Sequence, residues 1–363
     1  MQISTNNKWK AIDADGHVLE PDEMFQEYMD PKYRARAGGY RPDGNGAMRY
    51  FFDGVAHPPF PKEISIRKPM EAANRMMVLD NEEIEAAVLF PSAVLFADYV
   101  GEAAFGQAII QGFNNWIADY VRPYDGRMFF AAPVVLHDVD WAIAEAERSV
   151  KLGAAAICVR PNPAQAKTLD APAYDRFYAA VQDLSVPLIV HEGTGHPDTV
   201  GGDRYGMNAP QRYAFSHVIS HPFEQMFAAL SIICGGVLER HPRLKVGFFE
   251  AGCSWAPYWL ARLDDHFEHR ILGTYMPIKL RPSEYFERQC VVTCDPHDAT
   301  IPLAIQGIGA HKVLFATDYP HFDSGGLAVK KFMNVPGIAP TDQRSILRDN
   351  AIDFFRLKVG ATV

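Results

Sequence analysis

The chain has 363 residues, of which 48% are hydrophobic, 22% charged and 12% aromatic, a composition that excludes a disordered chain and a coiled coil. Thirty-five basic against 44 acidic residues give a formal net charge of −9, which argues against nonspecific binding to nucleic acid or to an anionic membrane. No apolar run is long enough to span a bilayer and the polar start MQISTNNKWK shows no signal peptide, so a cytoplasmic protein is expected, its five cysteines reduced and buried.

In chain order, a short apolar run followed by a helical pattern recurs. Eight runs read as strands: Trp9–Ala14, Ala86–Phe90, Phe129–Leu136, Ala154–Val159, Pro187–Val190, Lys245–Phe249, Cys290–Thr293 and Lys312–Ala316. Most are apolar at every position, as strands covered on both faces must be. Trp141–Leu152, Ala173–Leu184 and Phe223–Arg240 read as helices, the last with Pro222 in its first turn and Ser220 as its cap. Eight β-then-α units predict an α/β fold, a (β/α)8 TIM barrel in one domain over residues 1–363, with an open doubly wound sheet as the alternative. A barrel needs about 250 residues. Most of the surplus falls in a long insertion after strand one, about residues 20–83. Its Tyr50, Phe51, Phe52 and Phe60 are expected to cover the barrel mouth, with Phe52 in the substrate-binding wall.

The polar residues that follow the strands are more informative. Strand one ends in Asp13-Ala14-Asp15-Gly16-His17, strand four in Arg160, strand five in His191-Glu192 and strand six in Glu250; Asp295 and Asp318 follow strands seven and eight. In a barrel all of these converge at the C-terminal mouth, where active sites lie. So many carboxylates and imidazoles in one place call for a cation. Asp15 and His17, two residues apart on a strand, point the same way and form the first half of a metal site. His191 and Asp318 are expected to complete it, Asp318 also as a proton carrier. Glu250 is read as a metal ligand or as the base for a metal-bound water. His221 is a possible ligand at a helix start, and His321 could reach the mouth to bind substrate. Arg160 could receive a substrate carboxylate or hold a buried acid.

These residues resemble the amidohydrolase superfamily, and within it the amidohydrolase-related group that includes aminocarboxymuconate semialdehyde decarboxylase and the resorcylate-type decarboxylases. The matching segments are IDADGH (12–17), VHEG (190–193), GGVLERHPRLKVGFFEAGCSWAPYWLARLD (235–264) and FATDYPH (315–321), in family order over nearly the whole chain. The resemblance implies a TIM barrel with a divalent metal, and assigns Asp15 and His17 to the first-strand metal pair, His191 to the fifth-strand histidine and Asp318 to the eighth-strand aspartate. The sequence departs from the pattern at Glu250, where the decarboxylases carry a histidine, and at Arg160, where many hydrolases of the superfamily carry a metal-bridging lysine.

Two metal arrangements follow. In one, a single zinc, manganese or iron ion is held by Asp15, His17, His191 and Asp318, with Glu250 as base. In the other, Glu250 and His221 complete a second site. The expected activity is hydrolysis or nonoxidative decarboxylation of a small organic acid, with Asp318, Glu250 and Arg160 as the catalytic groups. The alternatives are a non-heme diiron oxygenase on the same kind of barrel, and a barrel kept only for binding. The expected partner is a small-molecule substrate, without nucleic acid or membrane, and a homo-oligomer is expected on base rates.

Overall fold

The computed structural model describes residues 9–42, 44, 48–57, 70–162, 167–193, 212–322 and 324–360. Its strands, in chain order, are β1 (Ala11–His17), β2 (Tyr40–Pro42), β3 (Met48–Phe52), β4 (Val55–His57), β5 (Ile84–Phe90), β6 (Met128–Pro133), β7 (Ala156–Val159), β8 (Leu188–His191), β9 (Val246–Phe249), β10 (Cys290–Cys294) and β11 (Val313–Phe315). The eight apolar runs all become strands of one parallel sheet, in the order β1-β5-β6-β7-β8-β9-β10-β11, and β2, β3 and β4 form a separate antiparallel sheet. The neighbours follow sequence order because each crossover is helical and returns the chain beside the strand it left.

Side chains alternate between two cores. Leu89, Ile157, Val190 and Phe248 pack outward against the helices. Ile12, Ala14, Val88, Ala131, Cys158, Ile189, Phe249 and Leu314 fill the barrel interior, together with Phe355 and Leu357 from the C-terminal segment. All five cysteines are buried free thiols.

The ends of the sheet meet through a seam. Asp318 N donates to Asp15 O at 2.9 Å and His17 N donates to Tyr319 O at 2.8 Å. Below them the buried Asp13 carboxylate accepts from Thr317 N at 2.9 Å, from Thr317 Oγ1 at 2.6 Å and from Asp15 N at 3.3 Å. Arg75, from helix Ala72–Asn81, lies 3.7 Å from Asp13 Oδ2 and donates to Tyr319 O at 3.1 Å. Burial pushes the Asp13 carboxyl upward, and the Arg75 guanidinium and the Thr317 donors oppose it.

A register shift falls between Asp13 and Gly16 where β1 pairs with β5. Ile12 and Ala14 face the interior, so strict alternation would leave Asp15 and His17 on Asp13's outward side. The irregularity turns them inward instead, which is the ordinary use of a bulge beside a functional site.

Two expectations need correction. The helix expected from Phe223 begins at Tyr213 and runs to Ala229, with Pro222 inside it and not in its first turn. Proline favours a first turn, but here it lies inside the helix, where it removes one hydrogen bond and its ring crowds the carbonyl four residues back, a cost of about 3 kcal/mol that the surrounding packing must offset. Of the aromatic residues expected to cover the mouth, Tyr50 and Phe52 are instead packed in the outer core. Tyr50 donates from its hydroxyl to Glu20 O at 3.1 Å, and Phe52 is 1% exposed, with its ring 5.8 Å from that of Phe25. The period of two along β3 buries both of them in the outer core, Phe51 is only partly buried, and Phe60 lies outside the described residues.

Asp13→Ala removes the acceptor that closes the seam and leaves Arg75 buried without its counter-charge. The expected result is a loss of about 3 kcal/mol or more of unfolding free energy, read as a lower midpoint in chemical denaturation.

Candidate metal centre

Each strand places its polar residue at the same end of the barrel. Asp15 and His17 come from β1, His191 ends β8, Glu250 follows β9, and Asp318 and His321 lie on the segment after β11. His191 Nε2 lies 3.1 Å from Asp15 Oδ1. His17 Nε2 is 3.6 Å from that same oxygen and 3.4 Å from Asp318 Oδ1. Glu250 stands among three histidines, with His191 Nδ1 at 3.2 Å, His221 Nε2 at 3.6 Å and His321 Nδ1 at 3.7 Å. His321 Nδ1 is also 2.6 Å from Asp318 Oδ1, while its Nε2 meets Ser92 Oγ at 2.9 Å.

Two residues of this group have left-handed backbones, Glu250 with φ 60° and Asp318 with φ 54°. For residues with a Cβ this costs of order 1–3 kcal/mol and persists only where the surroundings impose it. At Asp318 the imposing bonds are its N–H to Asp15 O and its carbonyl accepting from His321 N at 2.9 Å. At Glu250 the N–H donates to Thr293 Oγ1 at 3.2 Å.

The imidazoles are oriented for ligation. His17 Nδ1 is 2.8 Å from Pro91 O and His191 Nδ1 is 2.7 Å from Glu192 O. A carbonyl can only accept, so both Nδ1 atoms carry a proton; the Nε2 lone pair of His17 is open to a cation, and that of His191 becomes so when a cation displaces the proton shared with Asp15 Oδ1. His17 Nε2 is buried and makes no hydrogen bond, although two carboxylate oxygens face it. Oxygens turned toward an imidazole lone pair repel it unless a cation lies between them, so the donor set fits a divalent metal. The ligand atoms form two overlapping groups whose members lie within 4.8 Å of one another: Asp15, His17 and His191, and His17, Glu250, Asp318 and His321.

The protonation balance has the same physical origin. Burial raises the Asp15 carboxyl to about 6 despite His191 beside it. Burial pulls the His17 imidazole well below its ordinary value. For His191 burial acts downward too, but the neighbouring Asp15 and Glu250 outweigh it and bring the ring to about 8. Burial also opposes the charge on His221, and Glu250 outweighs it, giving about 9. Glu250 is held well below the carboxylate range because His191, His221 and His321 overcome its own burial.

The group borders a cavity of about 370 Å³ lined by Asp15, His221, Glu250, Thr293, Asp295 and Asp318, among others. Of the residues singled out from sequence, Asp15, His17, His191, Glu250, Asp318, His321 and His221 are brought together. Arg160 and Phe52 are not on the cavity wall. Arg160 is 4% exposed and donates from Nη2 to Glu192 Oε1 at 3.2 Å and to Gly193 O at 3.1 Å, between the rings of Phe96 and Tyr99. It therefore holds a buried acid, the second of its two sequence readings. Sequence reasoning missed His217, His297 and Lys331, which line the cavity. The i, i+4 spacing of His217 and His221, whose rings lie 4.6 Å apart, was open to view once a helix spans both.

The sequence model of the amidohydrolase family matches residues 12–357. A 2-amino-3-carboxymuconate-6-semialdehyde decarboxylase from Dictyostelium discoideum is 26% identical over 287 residues, covering 78% of this chain and 76% of that protein. A gamma-resorcylate decarboxylase from Rhizobium sp. (strain MTP-10005) is 28% identical over 292 residues, covering 78% of this chain and 86% of that protein. Among solved structures, a dihydroxybenzoic acid decarboxylase from Polaromonas sp. JS666, with bound manganese and the inhibitor 2-nitroresorcinol, superimposes with a TM-score of 0.69 at 21% identity, covering 96% of this chain and 97% of that chain.

A divalent ion held by this set stabilises the folded chain by mass action. Manganese at 1,000 times its dissociation constant is expected to add about 4 kcal/mol, seen as a higher melting temperature that a chelator reverses. His17→Ala is expected to fold and to lose most of that increment.

Proposed function

The chain belongs to the amidohydrolase family, and on that premise we propose that it is a metal-dependent nonoxidative decarboxylase of a small aromatic acid. The observation that carries this reading is the Asp318–His321 pair, 2.6 Å apart, beside His17 Nε2, itself 3.4 Å from Asp318 Oδ1. Two curated relatives are decarboxylases by name, and a solved neighbour contains manganese and a nitrophenol-type inhibitor.

Asp15, His17, His191 and Asp318 would hold the ion; manganese, zinc and iron all suit such a nitrogen and oxygen donor set. When bound, a divalent cation supplies positive charge that polarises a substrate oxygen. The remaining work falls to the chain. Decarboxylation puts a proton on the ring carbon that carries the carboxylate; the carbon–carboxylate bond then breaks, its electron pair returns to the ring, and carbon dioxide leaves. The Asp318 carboxyl, paired with His321, is the group placed to deliver that proton. His321 Nδ1, near both Asp318 and Glu250, resupplies it, and Ser92 Oγ fixes the ring through Nε2. Glu250 remains ionised and steadies the positive charge of His221 and His321.

A second reading, two ions and a diiron oxygenase, is favoured by the second ligand group around Glu250. Both groups depend on His17, however, and its Nδ1 is taken by Pro91 O, so it has one nitrogen to give. One ion is the better fit.

The test is incubation of the manganese-loaded protein with a panel of hydroxylated benzoates in deuterated water. The expected result is carbon dioxide with one deuterium at the vacated ring carbon, and a rate about 10²–10⁴-fold lower in Asp318→Asn. Consumption of oxygen would support the diiron reading, and ester or amide hydrolysis without carbon dioxide would support a hydrolase.

A further inference from the structure

A substrate acid brings a negative charge to a cavity whose wall already carries Asp15, Glu250, Asp295 and Asp318. The arginine expected to meet it is engaged: Arg160 is buried against Glu192 and Gly193 O. Among the described residues that line the cavity, one is a lysine or arginine, and it is Lys331. Its ammonium makes no hydrogen bond or ion pair with any described residue.

We propose that Lys331 is the residue that receives the carboxylate of the substrate and so sets the preference for acids over neutral aromatics; this rests on the reading of the site as a decarboxylase.

Lys331 is exposed at the rim of the cavity, and its helix fixes where its ammonium can reach. Lys331 lies on helix Ala328–Met333, whose first backbone N–H groups, at Leu327 and Ala328, each donate to the Glu82 carboxylate at 2.8 Å. Its Nζ rests against the backbone of Gly325, where an added Cβ would lie 2.4 Å from it. Gly325 follows Ser324, whose hydroxyl donates to His321 O at 2.6 Å, and His321 N donates to Asp318 O. One segment thus carries both the proton donor and the seat of the ammonium. A charge-assisted hydrogen bond there lasts while the substrate is an anion and weakens as it becomes neutral carbon dioxide. Lys331 therefore acts on binding more than on the rate of the chemical step.

The test titrates the manganese-loaded protein with benzoate and with its uncharged analogue benzamide, by calorimetry, in the wild type, Lys331→Met and Lys331→Arg. The wild type is expected to prefer benzoate, Lys331→Met to lose roughly tenfold or more of that preference, and Lys331→Arg to keep most of it. With a turned-over acid, KM should rise in Lys331→Met by a similar factor while kcat changes less. An undiminished preference in Lys331→Met, or equal or absent binding of the two probes to the wild type, overturns the proposal. Loss of the preference in a protein that releases no carbon dioxide from any benzoate leaves the anion seat standing and removes the decarboxylase reading. Carbon dioxide release with an unchanged preference does the reverse.

Discussion

Closing the barrel between β1 and β11 is the constraint on which the site depends. Asp13 is its clasp, since a single buried carboxylate takes both donors of Thr317 and the N–H of Asp15. Those bonds join the start and the end of the chain's parallel sheet. They also bring the β1 pair, Asp15 and His17, against Asp318. The reciprocal backbone bonds above the clasp hold Asp318 in a left-handed conformation that an isolated chain would leave. The contacts that close the sheet are therefore also those that position the site residues, and Arg75 keeps the clasp's charge compensated.

Charge explains the rest of the mouth. Asp15 is only 1% exposed and Glu250 and Asp318 are largely buried, with four imidazoles among them. Buried ionised groups are stable only when paired, and the pairing here is incomplete at His17 Nε2. A divalent ion would complete it. The second buried pair, Arg160 with Glu192, has a different task. By holding Glu192 and Gly193 it fixes the turn after β8, and the Glu192 carbonyl fixes the His191 ring. The arginine thus acts on the site through the ligand's orientation and does not line the cavity itself.

Much of this was legible in the sequence. Strands such as AAVLF and PLIV are apolar at every position, so a sheet covered on both faces follows from composition, and the acids and histidines just after them follow to one rim. What was not legible depends on geometry that residue types do not encode. Simple alternation puts Asp15 and His17 on one side, yet they reach the interior through a bulge whose one sequence signal is Gly16, where an added Cβ would lie 2.5 Å from Arg75 Nη2. Proline strongly favours a helix start, so a helix that tolerates Pro222 in its interior, and therefore carries both His217 and His221, is not announced by local sequence. Tyr50 and Phe52 were expected over the mouth because an exposed aromatic cluster is a liability; burial in the outer core removes the liability as well. Arg160 was open to two roles because sequence does not show which cation has an acid beside it in space.

The central claim is that the seam gathers Asp15, His17, His191 and Asp318 around one divalent ion. The most direct measurement is anomalous diffraction from crystals of the manganese-loaded protein. The account predicts one strong peak per chain, with oxygen or Nε2 atoms of all four residues about 2.0–2.3 Å from it. A peak bounded by Glu250 and His221 instead, or no peak at the mouth at saturating manganese, would contradict it.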